Sequence, residues 1–138
     1  MMGKGDYEYS GSTVPTRPYT DIVRSIQDRV EAEAKCKFDY VLINGYHGTD
    51  KVGWHQDNEP TIDQTKPIAS VSFGGSRDFD VCRAGSKSYT LIPKWRISLN
   101  NGDLVIMVPG VQDQYYHQVP PRTTAQRRFN LTFRCLHK

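Results

Sequence analysis

Between Tyr19 and Lys35 the apolar residues keep a helical spacing. Ile22, Ile26 and Val30 fall four apart, Val23 stands beside them, and charged side chains fill the positions between. This predicts one amphipathic helix, ending near Lys35, with a single face to bury. Beyond it the chain turns to short β-branched and aromatic runs: FDYVLING, PIASVSFG, DFDV, WRISL, DLVIMV, QYYHQV and RFNLTFRC. Clusters of Gly, Pro, Asn or charge, such as GGSRD and NNGD, separate them, so each run is predicted to be a strand. Strands spaced in this way make a sandwich or a barrel, with the helix packed outside. Residues 1–18 are rich in Gly, Ser, Thr, Pro and Tyr and read as loop or irregular strand. No internal repeat or low-complexity segment interrupts the pattern.

Composition adds limits rather than a function. The 138 residues suit one domain with one core, large enough to fold without staples. With 37% hydrophobic and 24% charged residues the chain reads as globular and soluble. It has no apolar run long enough to cross a bilayer, and its start, MMGKGDYEYSG, has no apolar signal segment. The expectation is an intracellular monomer, in cytoplasm or nucleus, with no membrane partner. Cys36, Cys82 and Cys135 are scattered and odd in number, so plain reduced thiols are expected. A net charge of +3 permits a nucleic-acid partner without arguing for one.

The first candidate chemistry is VGWHQDNEP, residues 52–60. On an extended segment i and i+2 share a side, so His55 and Asp57 would offer imidazole and carboxylate to one point. His-x-Asp alone is common in polar loops. A third candidate, His117 in the strand-like QYYHQV, raises its weight. Two histidines and a carboxylate form a facial triad that leaves positions open on Fe(II), although zinc takes the same ligands. His47, in the turn YHGTD, and His137, near the C-terminus, are expected to be solvent-exposed.

RFNLTFR supplies the second candidate. As a strand it places Phe129, Leu131 and Phe133 on one face and Arg128, Asn130, Thr132 and Arg134 on the other. A solvated face would account for the polar side. The two arginines lie roughly 20 Å apart at about 3.3 Å per residue, and pointing inward they could grip opposite ends of a short dicarboxylate. Guanidinium suits carboxylate because its planar fork donates two parallel hydrogen bonds. Asn44 and Tyr46, i and i+2 in LINGY, could add neutral donors. A dicarboxylate beside a His-Asp-His iron points to 2-oxoglutarate.

With these residues in place, the sequence resembles the AlkB family of Fe(II)/2-oxoglutarate-dependent nucleic-acid dealkylases, from about Tyr7 to Arg134. The motifs that carry the likeness are Asn44-x-Tyr46, HQDNEP from His55, PIASVSFG from Pro67, Asn101-Gly102-Asp103, Tyr116-His117 and RFNLTFR from Arg128. Tyr7-Glu8-Tyr9-Ser10-Gly11 is similar to the family's nucleotide-recognition segment. The resemblance implies a mainly β fold, a double-stranded β-helix (jelly roll). It implies a short recognition segment over residues 1–18 and a catalytic domain over 19–138.

It also implies roles. His55, Asp57 and His117 would bind Fe(II). Arg128 would pair with the distal carboxylate of 2-oxoglutarate, Arg134 would lie near the metal-bound end, and Asn44, Tyr46, Asn130 and Thr132 would line the same site. Tyr7, Tyr9 and Glu59, with His55, would meet the substrate base, and Lys51, Arg77, Arg83 and Lys87 are candidates for phosphate contacts. The implied reaction is oxidative demethylation of N-alkylated bases of the 1-methyladenine or 3-methylcytosine type. It consumes O₂ and 2-oxoglutarate and releases formaldehyde, succinate and CO₂, as in DNA repair or RNA demethylation. Relatives usually carry further substrate-gripping structure upstream of Tyr7, so a single strand is the expected substrate. Two alternatives stand beside this one. The chain could be a 2-oxoglutarate oxygenase acting on protein or lipid, or a non-catalytic nucleic-acid-binding domain with a structural metal.

Overall fold

In a computed structural model of the protein, residues 1–3, 7–9, 12–85, 91–123 and 126–138 are described, with residues 7–9 given by their backbone alone. Thr20 opens the first helix, α1 (Asp21–Ala34), by accepting the Val23 N–H on its hydroxyl at 3.3 Å. Lys35 closes it in the left-handed region at φ 51°. The buried stripe of α1 differs from the expected one. Val23, Gln27, Val30 and Glu31 face inward, while Ile22 is 74% exposed. Ile26 packs against the same core as Val23 and Val30, so hydrophobic spacing finds the face and misses only its edge, where the polar Gln27 and Glu31 are buried in place of Ile22. Their burial is satisfied locally. Gln27 Nε2 donates to Glu31 Oε1 and to the Phe38 carbonyl, and the Phe38 N–H donates to Glu31 Oε1.

The strands are β1 (Met2–Gly3), β2 (Tyr7–Tyr9), β3 (Ser12–Val14), β4 (Tyr40–Tyr46), β5 (Val52–His55), β6 (Ile68–Gly74), β7 (Arg77–Arg83), β8 (Trp95–Leu99), β9 (Leu104–Met107), β10 (Tyr115–Val119) and β11 (Arg128–Arg134). One sheet runs β1-β4-β11-β6-β9, a second runs β5-β10-β7-β8, and β2 pairs with β3 as a small hairpin. All their pairings are antiparallel. The two larger sheets face each other as a jelly roll. The stretch before the helix therefore holds strands, and β1 extends the first sheet beyond β4.

Period-two alternation divides the first sheet. Val41, Ala69, Val71, Leu131 and Phe133 pack under α1 with Val23 and Val30. Tyr40, Tyr46, Ile68 and Met107 face the other way and meet Phe79, Leu99 and Val119 from the second sheet. The turn after β6 depends on Gly74 at φ +92°, where a Cβ would run into the Arg127 carbonyl. Cys36 and Cys135 are free thiols with sulfurs 3.6 Å apart, joining the end of α1 to the residue after β11.

Candidate metal centre and co-substrate pocket

Along β11 the alternation has an unusual outcome. Arg128, Asn130, Thr132 and Arg134 all point between the sheets, where a purely structural sandwich would carry apolar side chains. They are 1%, 6%, 6% and 3% exposed. Burying such groups is costly unless each finds a partner. Register supplies several. Asn130 lies opposite Asn44 on β4 and Ser72 on β6, and Thr132 lies opposite Ser70. Arg128 donates to Ser72 Oγ at 2.8 Å, Asn130 Nδ2 to Ser70 Oγ at 2.7 Å, and Thr132 Oγ1 to Asn130 Oδ1 at 2.8 Å. The supply is incomplete. Arg128 Nε and Nη1 are buried with no hydrogen-bond partner among the described residues. A carboxylate ligand is what those donors fit.

The second sheet and the loop after β5 face this polar strip with three side chains that could hold a metal ion. His55 and His117 are directly paired across β5 and β10, and their rings lie 4.2 Å apart. Asp57 sits two residues past His55, in the loop after β5, with Oδ1 3.6 Å from His55 Nε2. One ligand atom from each of the three lies within 4.8 Å of the others. Hydrogen bonds around them suit a metal. His55 Nδ1 is 2.8 Å from the Gly53 carbonyl, which leaves Nε2 to face Asp57. His117 Nδ1 is buried without a partner among the described residues, and the ring stacks on Phe79 at 5.3 Å.

Electrostatics sets the charge of the cluster. Burial, followed by the neighbouring His55, pushes the His117 pKa down to about 4. Its imidazole is therefore neutral at pH 7 with a lone pair free for coordination. Burial works against the Asp57 carboxylate. The Arg134 guanidinium, 2.9 Å from Oδ2, together with His117 and His55 outweighs it, and the pKa lies below the usual carboxylate range. One carboxylate and two imidazoles make a donor set that fits Fe(II).

One pocket gathers both halves. Asn44, Tyr46, His55, Asp57, His117, Arg128, Asn130, Thr132 and Arg134 all line it, beside Ser70, Phe79 and Met107. Residues 2–134 match the model of the 2OG-Fe(II) oxygenase superfamily. The chain belongs to this superfamily. Its members use Fe(II), 2-oxoglutarate and O₂, and the pocket offers a donor set for the first and a cationic, hydrogen-bonding cradle for the second. The chain is 35% identical over 133 residues to DNA oxidative demethylase ALKBH2 of Mus musculus, covering 93% of this chain and 56% of that protein. It is 32% identical over 142 residues to alpha-ketoglutarate-dependent dioxygenase alkB homolog 3 of Homo sapiens, covering 98% and 50%. The chain thus spans about half the length of the curated relatives it matches. A solved structure named OsALKBH1 shares the fold, with a TM-score of 0.62 and 22% identity over 91% of this chain and 67% of that one.

Other candidate residues lie elsewhere. Glu59 is outside the pocket lining, with Oε2 buried and lacking a hydrogen-bond partner among the described residues. Tyr7 and Tyr9 sit on β2, opposite Val14 and Ser12 on β3, and their side chains lie outside the description. Lys51 and Arg83 are exposed, and Lys87 lies outside the described residues. His47 and His137 are exposed, as expected. Arg77 requires a correction. It is 0% exposed, and Nη2 donates to the Asp50 and Pro120 carbonyls, so it cannot meet a phosphate at the surface. It is the first residue of β7, and the ladder turns its side chain inward beside Tyr46. Gln112 was not foreseen. It accepts the Asp57 N–H at 2.7 Å from the short helix α2 (Val111–Gln114). No periodicity marks four residues as a helix, and nothing local to Gln112 points to a loop 55 residues away.

Proposed function

We propose that the protein is a dioxygenase that demethylates N-alkylated bases in single-stranded nucleic acid. One observation carries the reading most directly: a His-Asp-His cluster and a buried, incompletely partnered arginine share one pocket between the sheets. When bound, Fe(II) and 2-oxoglutarate supply the oxidising power, using O₂ and yielding succinate and CO₂.

The chain's own residues would divide the remaining work. Arg128 takes the distal carboxylate of 2-oxoglutarate, and its bond to Ser72 keeps the guanidinium in place. Tyr46 lies against that guanidinium, with the ring centroid 4.9 Å from Cζ. Asn44, Asn130 and Thr132 line the route to the metal end. Arg134 holds one oxygen of Asp57 and so orients the other toward His55. Phe79, Met107 and Val119 keep water from the site. Tyr7, Tyr9 and Glu59 are the candidates to meet the base. The names of the relatives, a DNA oxidative demethylase among them, support a methylated nucleic acid as substrate.

The test is turnover. With Fe(II), 2-oxoglutarate, ascorbate and O₂, a single strand carrying 1-methyladenine or 3-methylcytosine should lose one methyl by mass spectrometry. Succinate and formaldehyde should appear together. Absence of both across a broad panel of methylated oligonucleotides would end the enzyme reading. Succinate without formaldehyde would favour a different primary substrate.

A further inference from the structure

The register of the second sheet runs directly from the metal candidates to an exposed tryptophan. His55 pairs with His117, His117 with Val81, and Val81 with Trp95. Residues directly opposite each other in an antiparallel ladder project to the same face. The four side chains therefore form one row across the inner face. Trp95 stands two strands from His117, about 10 Å away at about 4.8 Å per strand. The next residue locks this orientation. Arg96 points to the outer face, where its Nε and Nη2 grip the fully buried Asp80 at 2.6 and 2.8 Å. Trp95 cannot turn outward without breaking that pair.

An apolar ring on an inner face is normally covered, yet Trp95 is 44% exposed and Ile97, also on the inner face, is 46% exposed. The sandwich is open along this edge. Other groups there have a consistent chemistry. Tyr115, one residue row along and opposite Arg83, meets the indole edge-on with centroids 5.6 Å apart. Lys94 Nζ lies 4.5 Å from the indole centroid, and Lys94 and Arg83 are both exposed. Two aromatic rings flanked by two cations match a stacked base with its phosphates.

We propose that Trp95 and Tyr115 form a stacking platform for a nucleobase that neighbours the one at the metal, with Lys94 and Arg83 holding the adjoining phosphates. The proposal rests on the nucleic-acid reading above and gives it a second subsite. At about 10 Å from His117, Trp95 is too distant to sandwich the base presented to the metal and near enough to hold the next. A base already stacked in a duplex has no free face to offer, so the platform selects single strands.

The chain has two tryptophans, so Trp54→Phe leaves Trp95 as the sole indole reporter. Titrating that variant with a short unmodified single-stranded oligonucleotide should quench its fluorescence. In the full chain, Trp95→Ala should weaken binding of the same strand about tenfold by anisotropy, with Trp95→Phe recovering part of the loss. Lys94→Ala and Arg83→Ala should each flatten the salt dependence of binding by about one unit of slope. If the unaltered protein binds the strand but shows no quenching, and Trp95→Ala binds as tightly, the platform is overturned while the nucleic-acid reading stands. Binding lost equally in Trp95→Ala and Trp95→Phe, with a lowered Tm in both, would assign the ring to folding and overturn it as well. If the unaltered protein binds no strand at all, the nucleic-acid reading itself fails.

Discussion

Arg128 should act with opposite signs on folding and on co-substrate binding. It is 1% exposed, and none of the ion pairs among the described residues involves it. Burial pushes its pKa down, Tyr46 opposes that shift and the nearby Arg77 adds to it. Without a ligand the fold therefore holds a desolvated cation bonded to Ser72 Oγ. Arg128→Met keeps the reach and removes the charge. Replacing buried ionic groups by apolar ones of similar volume is neutral or stabilising by about 1–4 kcal/mol, against a lost hydrogen bond of about 1 kcal/mol. Apo Tm should stay level or rise by up to roughly ten degrees. Binding of 2-oxoglutarate should move the other way. A buried carboxylate that loses its charged partner forfeits about 2–5 kcal/mol, which is roughly thirtyfold to several thousandfold in Kd. Calorimetry of the apo protein reads the first effect. Anaerobic titration of the Fe(II) protein with 2-oxoglutarate, followed by its charge-transfer absorbance, reads the second. A lowered Tm with unchanged 2-oxoglutarate affinity would refute the reasoning and make Arg128 a structural residue.

Two further outcomes follow from the same structure. Asp57→Ala and His117→Ala should each abolish binding of Mn(II), a spectroscopic substitute for Fe(II), because a three-ligand site loses an anchor; unchanged binding in either variant would mean the site is misassigned. Glu31 has its pKa lowered overall: burial raises it, but hydrogen bonds from Gln27, Lys37 and the Phe38 N–H together outweigh burial. A depressed folded pKa stabilises above the unfolded pKa and is lost as pH falls through the folded one, so the Tm gap between the unaltered protein and Glu31→Gln should be full near neutrality and shrink below about pH 4.3. A gap that widened on acidification would contradict that sign.

Much of this site was legible because two periodicities agree. The period-two split of RFNLTFR correctly separates Leu131 and Phe133, under α1, from the four polar residues between the sheets. His55-x-Asp57 converges as a strand would make it converge, although β5 stops at His55 and Asp57 is placed by the following loop. Failures occur where a side chain's partner is distant or polar. Hydrophobic spacing places Val23, Ile26 and Val30 of α1 on the core but misses the edge of that face, because Gln27 and Glu31 take buried positions through hydrogen bonds that such spacing cannot register. Arg77 was misjudged because its partners are two carbonyls, at Asp50 and Pro120, and a backbone carbonyl leaves no mark on residue identity. Trp95 gained meaning only from the pairing that sets it in line with His117.

Gln112 joins the two segments that carry the candidate metal ligands. It is 5% exposed, takes the Asp57 N–H on Oε1, and directs Nε2 toward Met107 Sδ at 3.4 Å. It sits on α2, immediately before the strand that carries His117. The loop after β5 and the start of β10 are thereby tied by one amide. Gln112→Met keeps the volume and removes the acceptor, leaving the Asp57 N–H buried without it at a cost of about 1–3 kcal/mol. The Asp57 backbone would then lose its tie to α2, leaving the Arg134 ion pair and the Gln64 bond to its carbonyl to hold the carboxylate in place. Outer-sphere partners of ligating residues typically matter tenfold to a hundredfold in metal affinity, so Mn(II) Kd should rise by about that factor. Gln112→Glu retains an acceptor oxygen and should recover part of the affinity, since a second carboxylate near the cation offsets its own burial. A purely structural clip predicts a different pattern: both variants would lose Tm in proportion to the lost packing and bind Mn(II) as tightly as before. The separation of Met from Glu in metal affinity, at matched Tm, decides between the two.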